Sequence, residues 1–507
     1  MKSSMNPRIS WRLRCLSSLA LSAVALTISG CAVGPTFVRP EPPAAVRYTP
    51  EVIAGQTVPV PTMGGAAQHL VSGLDVSAQW WTAFDSKPLN ELVDAALRAN
   101  PDLQAAEAAL RAARENVLAQ RAAFFPSADV HLSPTRQSIA NNLASPASSG
   151  NSIYNLHTAQ LNISYSPDVF GGNRRQVESL EAQTEVQRFQ REATFLSLTS
   201  NVVVAAIQEA SLRAQIAATR ELIAAASRQL DMVRKQRALG QSSAADVAAQ
   251  EVTVAQAQAT LPPLSKQLAL QRDLLAVLAG RLPSEELAQR FELDSIHLPE
   301  ELPLSLPSRL VEQRPDIRAA EALLHAANAQ VGVAAAARLP NFMVSASAGS
   351  AALTLANLFK AGGGFWSFGL DVAQPLFNAG ALRHKELAAQ ALRDQSAAQY
   401  RSTVLTAFQN VADTLQAIQF DAQALGSALG AEQAASKSVN IARRQWELGA
   451  LGYAPVLSAQ QAHQQTVIAL VQAQAARFAD TTALFQALGG GWWNRPDASA
   501  DLIAVPR

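Results

Sequence analysis

The chain has 507 residues, 16% of them charged, with 41 Lys+Arg against 40 Asp+Glu. Taking the four basic residues that precede position 31 from 41 leaves 37 against 40, a balance that gives no reason to expect a nucleic-acid partner. Of the two cysteines, Cys15 also precedes position 31, so the chain from Cys31 onward has no second thiol for an internal disulfide and must be held by packing.

Residues 1–30 read as an export leader. Lys2, Arg8, Arg12 and Arg14 make a basic start, and the apolar run from Leu16 to Ile28 is shorter than the roughly 20 residues a membrane helix needs. The run ends in Ile28-Ser29-Gly30-Cys31, the small-residue approach to a cysteine that a lipoprotein signal peptidase requires. Cys31 is then the expected lipid attachment site, palmitate being one of its acyl groups. Each buried methylene adds roughly 0.8 kcal/mol to membrane anchoring. An ordinary leader with an incidental cysteine is the alternative, and the spacing and residue types favour lipidation. Ala32 stands where Asp is usually read as inner-membrane retention, which favours the outer membrane.

A long internal duplication follows. Asn100-Pro101-Asp102-Leu103-Gln104-Ala105-Ala106-Glu107 recurs as Arg314-Pro315-Asp316-Ile317-Arg318-Ala319-Ala320-Glu321. Ser166-Pro167-Asp168-Val169-Phe170-Gly171-Gly172 is echoed by Gln374-Pro375-Leu376-Phe377-Asn378-Ala379-Gly380, and Arg237-Ala238-Leu239-Gly240 by Trp446-Glu447-Leu448-Gly449. The order and the spacing are both kept, so the chain is two copies of one unit. Each copy reads helix, strand, strand, very long helix, turn, helix.

The strands alternate with period two. Leu161-Asn162-Ile163-Ser164-Tyr165-Ser166 does so, as do Trp366, Phe368, Leu370 and Val372 against Ser367, Gly369, Asp371 and Ala373, and Phe342, Val344, Ala346 and Ala348 against their neighbours. A half-buried soluble sheet gives the same pattern. Membrane strands are favoured because the segments run about ten residues, the chain is exported, and no apolar run past the leader is long enough for a membrane helix. Four strands cannot close a barrel, since the smallest have about eight. Open edges in lipid cost several kcal/mol per unpaired group, so membrane strands here demand an oligomer.

Asn173 to Leu239 contains neither Gly nor Pro and is rich in Ala, Leu, Gln, Glu and Arg, which predicts one helix about 100 Å long. Ala381 to Leu448 matches it with Gly426 and Gly430 as interruptions. Each long helix ends in a turn. Gly240 and Gly449 suit helix ends that need a left-handed residue, and Pro455 suits the start of the next helix.

Catalysis finds little support. The seven His lie singly, no Gly-x-x-x-x-Gly-Lys-Ser/Thr loop exists, and Gly362-Gly363-Gly364 and Gly489-Gly490-Gly491 read as turns or hinges. Acidic pairs such as Glu178 with Glu181 read as solvated faces. No cofactor and no metal are expected beyond the lipid on Cys31.

These pieces resemble the outer-membrane efflux protein family, in its lipoprotein branch serving resistance-nodulation-division pumps. The motifs are Cys31-Ala32-Val33-Gly34-Pro35, Trp80-Trp81 with Phe84, Asp85 and Leu89, Asn100-Pro101-Asp102-Leu103, Phe170-Gly171-Gly172, Leu261-Pro262-Pro263-Leu264 and Arg314-Pro315-Asp316-Ile317. Each is weak alone, and their order across nearly the whole mature chain is specific. The resemblance implies a mainly α fold with a small β part, a TolC-like duct in which a homotrimer completes a membrane β-barrel and a long-helix α-barrel. Implied partners are a periplasmic adaptor (membrane fusion) protein, an inner-membrane pump and outer-membrane lipid. The implied organisation is a signal peptide at 1–30, a lipidated and equatorial segment at 31–87, a first repeat at 88–300 with strands about 127–170, a second at 301–493 with strands about 341–377, and a tail at 494–507.

The resemblance also places the two turns at the periplasmic tip, where such ducts narrow. Many members carry carboxylates after the second turn, and here Pro455 and Ser458 hold those positions; a basic residue found in some members is replaced by Leu451. The expectation is therefore a gate closed by packing of Leu451, Tyr453 and Leu457, with the Trp446 indole donating to Asp246 of the neighbouring hairpin. The plainer reading of Asp246 is an early-turn acid favoured by its helix dipole. Three function classes follow: the exit duct of an efflux pump, a TolC-like duct for type I or other secretion, and a lipid-anchored coiled-coil scaffold.

Overall fold

The computed structural model describes residues 32–45, 47–138 and 153–496. The leader and Cys31 lie outside the described residues, as does the tail from 497. In chain order the elements begin with β1 (His69–Ser72), α1 (Lys87–Ala99), α2 (Pro101–Arg121), β2 (Ser127–Ser138), β3 (Ile153–Tyr165) and α3 (Gly172–Ala238). They continue with α4 (Ala244–Ala259), α5 (Leu261–Leu278), β4 (Glu301–Leu304), α6 (Pro307–Gln313) and α7 (Pro315–Ala336). Last come β5 (Asn341–Ala352), β6 (Gly364–Ala373), α8 (Ala381–Glu447) and α9 (Ala454–Ala487).

The helix–strand–strand–long helix–turn–helix order holds in both copies. α3 and α8 each run 67 residues. Gly426 and Gly430 do not interrupt α8. A helix glycine costs only about 1 kcal/mol against alanine, too little to break a helix of this length. The return arms differ. α9 is one helix of 34 residues, whereas the first arm divides into α4 and α5 at Thr260, because Pro262 and Pro263 remove two N–H donors.

The chain forms two compact units, and each draws on both repeats. Among the described residues, one comprises 32–39, 111–186 and 321–399; the other 40–110, 187–320 and 400–496. The first holds a four-stranded antiparallel sheet in the order β2-β3-β5-β6. The second holds the main core and the short parallel pair β1–β4, which the period-two reading did not anticipate because four residues show no pattern.

The core of the second unit is built on Trp80, Trp81 and Phe84, with Leu89, Leu92 and Val93 of α1 packed beside Val202, Val203, Ala206 and Ile207 of α3 and Val411, Leu415 and Ile418 of α8. Trp80 stacks on Phe485 of α9 at 5.3 Å. The composition of α3 corrects one expectation, that no run past the leader is apolar enough for a membrane helix. An 18-residue stretch of α3 is apolar enough by composition to cross a membrane, but 72% of it is buried within the protein. Its apolarity serves the core. Gly490 and Gly491 close the C-terminal turn with φ of +66° and +68°, and a Cβ at Gly490 would sit 2.3 Å from Leu196 Cδ1, so the triple glycine is a packed turn.

A buried polar network ties the segment before β1 to α9. Arg477 is 1% exposed and donates to Gly64 O (2.6 Å), Gln68 Oε1 (3.0 Å) and Thr57 Oγ1 (3.2 Å). Gln68 in turn donates to Pro299 O and Thr481 Oγ1. Asp421 of α8 faces Asp480 and Arg477. Burial first, then a hydrogen bond to Asp480 and its charge, push the Asp421 carboxyl up to about 7, against the smaller pull of Arg477. Its Oδ2 is buried with no hydrogen-bond partner, which suits a neutral carboxyl over a charged one. The folded state therefore binds a proton that the unfolded state releases above 3.8. Stability contributed at this site should fall as pH rises from 3.8 to about 7 and level off above it. Thermal unfolding across that window checks this: Asp421→Asn should flatten the dependence, and an unchanged slope would refute the assignment.

Candidate functional site

The sheet of the first unit has two unlike faces. Cross-strand neighbours share a face, and the register sets Val130, Leu161, Ala348 and Trp366 in one row and Ala128, Ile163, Ala346 and Phe368 in the next. Val344 with Leu370 and Phe342 with Val372 extend the same face. The other face carries Asp129, Asn162, Ser347 and Ser367 in one row and Ser127, Ser164 and Ser345 in another. Serine hydroxyls pair across it, Ser127 with Ser164 and Ser347 with Ser367, each at 2.8 Å. The apolar face is bare: Trp366 is 80% exposed and Phe368 70%. Water penalises such a surface by roughly 25 cal/mol per Å². Within the chain, and among the described residues, neither β2 nor β6 has a partner strand on its outer side.

The second unit carries the two hairpin turns, and both long helices stop in the same way. Gly240, with φ of +75°, donates to Arg237 O while Gln241 donates to Gln236 O. Gly449, with φ of +71°, donates to Trp446 O while Ala450 donates to Gln445 O. These paired bonds satisfy carbonyls a helix end leaves free, and they need a left-handed residue. The restarts differ. Ser243 caps α4: its Oγ accepts from the Asp246 N–H at 3.1 Å, and Asp246 Oδ2 accepts from the Ser243 N–H at 2.9 Å. α9 starts at Ala454 with Pro455 in its first turn and no side-chain cap.

This settles which groups Asp246 meets within the chain. Its carboxylate accepts from Ser243 and Ser242, bonds that hold it below the usual carboxylate range, that from the Ser243 backbone first. The indole of Trp446 instead packs on Tyr453, ring centroids 4.9 Å apart, so the Trp446–Asp246 hydrogen bond is not made inside one chain. Asp246 is a capping acid.

Behind the turns lies a small apolar cluster of Ala226, Leu230, Val233, Val247, Val254, Ala442, Tyr453, Val456 and Ala459, with Trp446 and Leu457 packed against it. Leu451 stays outside the cluster, 39% exposed, and Pro455 and Ser458 are exposed. A polar side chain crosses the cluster. Gln250 is fully buried; its Nε2 donates to Ala226 O at 2.8 Å, and its Oε1 accepts from Tyr453 Oη at 2.5 Å. This amide joins α3, α4 and the second turn. Burial pushes the Tyr453 hydroxyl well above the ordinary tyrosine range, so it remains a donor. Gln250 was not singled out from sequence, although it interrupts the apolar stripe Val247, Val254 and Ala257 at helical spacing. Among the described residues no group of three or more His, Cys, Asp or Glu is placed to hold a metal.

The family model described as "Outer membrane efflux protein" matches residues 92–281 and 306–490. The toluene efflux pump outer membrane protein TtgC of Pseudomonas putida is 31% identical over 484 residues, covering 94% of this chain and 96% of its own. The pyoverdine export outer membrane protein OpmQ of Pseudomonas aeruginosa is 32% identical over 419 residues, covering 82% and 87%. Among solved structures, the outer membrane protein VceC of Vibrio cholerae superposes with a TM-score of 0.76 at 27% identity, over 82% of this chain and all of that one.

Replacing Gln250 by Leu removes the acceptor of the buried Tyr453 hydroxyl, at about 1–3 kcal/mol for a buried polar group left unpaired, while the Ala226 carbonyl, inside α3, keeps its helix bond. Hydrogen exchange at residues of α4 should speed by about tenfold or more, with Tyr453→Phe giving a smaller rise. Equal protection in the parent and Gln250→Leu would show that the tie does not hold the hairpins.

Proposed function

Since this chain belongs to the outer membrane efflux protein family, whose unit it carries twice in tandem, we propose that it is the exit duct of a tripartite efflux pump. It resides in the outer membrane and passes small molecules outward from an inner-membrane pump and a periplasmic adaptor. The observation that carries this reading is the sheet, with one apolar face, one polar face and two open edges. Three copies joined edge to edge supply twelve strands, above the roughly eight that close a membrane barrel. Lipid meets the Trp366 face and water the serine face. A lipid on Cys31 anchors each copy. The relatives are named for toluene efflux and for pyoverdine export, and this chain likewise serves cargo chosen by its pump.

At the periplasmic tip, closure rests on packing. Tyr453, Leu457 and Trp446 hold the hairpins against each other, Leu451 stands exposed beside the second turn, and Pro455 and Ser458 offer no charge. Gly240 and Gly449 fix the turns that present these side chains.

Two measurements test the reading. In planar bilayers the purified protein should conduct in discrete steps, and a deletion strain should become more susceptible to pump substrates. Leu451→Ala with Trp446→Ala should raise the closed-state conductance; an unchanged value overturns closure by packing. Cys31→Ser separates a duct from a lipid-tethered scaffold. The duct still needs detergent for extraction, whereas release into buffer would contradict the barrel.

A further inference from the structure

The first residues after Cys31 are held by one face of one helix. Glu321, His325, Asn328 and Gly332 recur along α7 at spacings of four, three and four, which puts them in a single stripe. Residues 34–39 lie along that stripe in the opposite direction. Arg39 Nε pairs with Glu321 at 2.9 Å, the Phe37 ring stacks on His325 at 4.3 Å and 14°, and Asn328 Nδ2 donates to Pro35 O at 3.0 Å. Gly34 meets Gly332 so closely that a Cβ on Gly34 would lie 2.4 Å from the Gly332 Cα.

The lengths match. Five extended steps from Gly34 to Arg39 rise about 16.5 Å, and eleven helical steps from Glu321 to Gly332 rise about 16.5 Å. Pro35 and Phe37 turn inward while Thr36 and Val38 face out, the period two of an extended segment.

The start of this segment is fastened to the first long helix. Val33 N–H donates to Phe170 O at 3.1 Å. Arg175 donates from Nε to Val33 O at 3.1 Å and from Nη2 to Gly34 O at 3.3 Å. Its Nη1 is held by Glu178 at 2.7 Å, and the other Glu178 oxygen meets His325 Nε2 at 3.0 Å. Gly171, with φ of +77°, approaches Ala32 so nearly that a Cβ there would fall 2.6 Å from the Ala32 Cα. Only Pro167 to Phe170 and Ser166 separate that glycine from the end of β3.

We propose that residues 32–39 are a strut rather than a tether: the α7 stripe, with Arg175 and Gly171, is a built-in site for the chain's own N-terminal segment, and it fixes the membrane anchor in register with the sheet. A flexible eight-residue linker lets an anchor wander over about 15 Å. The zipped segment leaves no such slack, so inserting the lipid and inserting the sheet become one event. Arg175, Asn328 and His325 are positioning residues. The proposal rests on the lipid reading of Cys31.

A spin label on Val38→Cys, an outward site 80% exposed, tests the strut in the assembled protein. The label should be immobilised, and His325→Ala with Asn328→Leu should free it; equal mobility in both overturns the docking. Labelling of Cys31 in the parent would overturn the lipid reading and leave the docking result standing. For register, a four-residue Gly-Ser insertion is placed either after Ala32 or after Arg39, with acylation checked by mass spectrometry in each. The first frees the anchor but spares the zip, and should lower the yield of assembled oligomer in the outer membrane about tenfold. The second should leave it within about twofold. Equal yields would mean the anchor works as a tether.

Discussion

A sheet edge carries a row of N–H and C=O groups that must find partners, and a medium without water offers none. β2 and β6 are such edges, flanking a surface whose Trp366, Phe368 and Leu370 suit only an apolar medium. The two requirements conflict for a single chain and agree for a closed ring of copies. Much of the chain's plan follows from that. Each repeat contributes one hairpin, and the junction of β3 with β5 sews the two repeats into one sheet. The serines of the opposite face pair with one another and so tolerate water beside them.

The elements read from sequence are those whose signal is local. Period-two alternation placed β3, β5 and β6, and an uninterrupted run of helix formers placed α3. Ser243 and Asp246, three residues apart, carried the capping signal in plain view. The other partner expected for Asp246, the Trp446 indole, was not met within the chain. What escaped were contacts between residues far apart in sequence. Gln68 and Arg477 are separated by 409 positions, and no local pattern marks either. Gln250 was half legible: a lone amide in an apolar stripe announces a buried partner without saying which. The strut was hidden for another reason. Glu321, His325, Asn328 and Gly332 share no chemistry, and only the segment they grip makes them one site.

The repeats have diverged where they do different work. Both long helices end on the same glycine-based pattern of bonds, so that turn is inherited from the common unit. The restart is not. One relies on a serine and an aspartate, the other on a proline whose fixed φ needs no cap, and a proline costs nothing where an N–H would be unpaired anyway. Trp446 and Tyr453, which lie on either side of the second turn, have no aromatic counterparts at the first.

The interruption at Thr260 also has a mechanical meaning. Its backbone stays right-handed, with φ of −78° and ψ of −22°, so α4 and α5 continue one another in local course but not in stiffness. Prolines at 262 and 263 leave the carbonyls of Gln258 and Ala259 without their usual partners. Bending a helix strains hydrogen bonds, and where these are already missing the bend meets less resistance. The first return arm is a jointed limb that absorbs a push at its tip. The second has no such joint: α9 runs unbroken from the turn at Tyr453 to the socket where Arg477 is gripped.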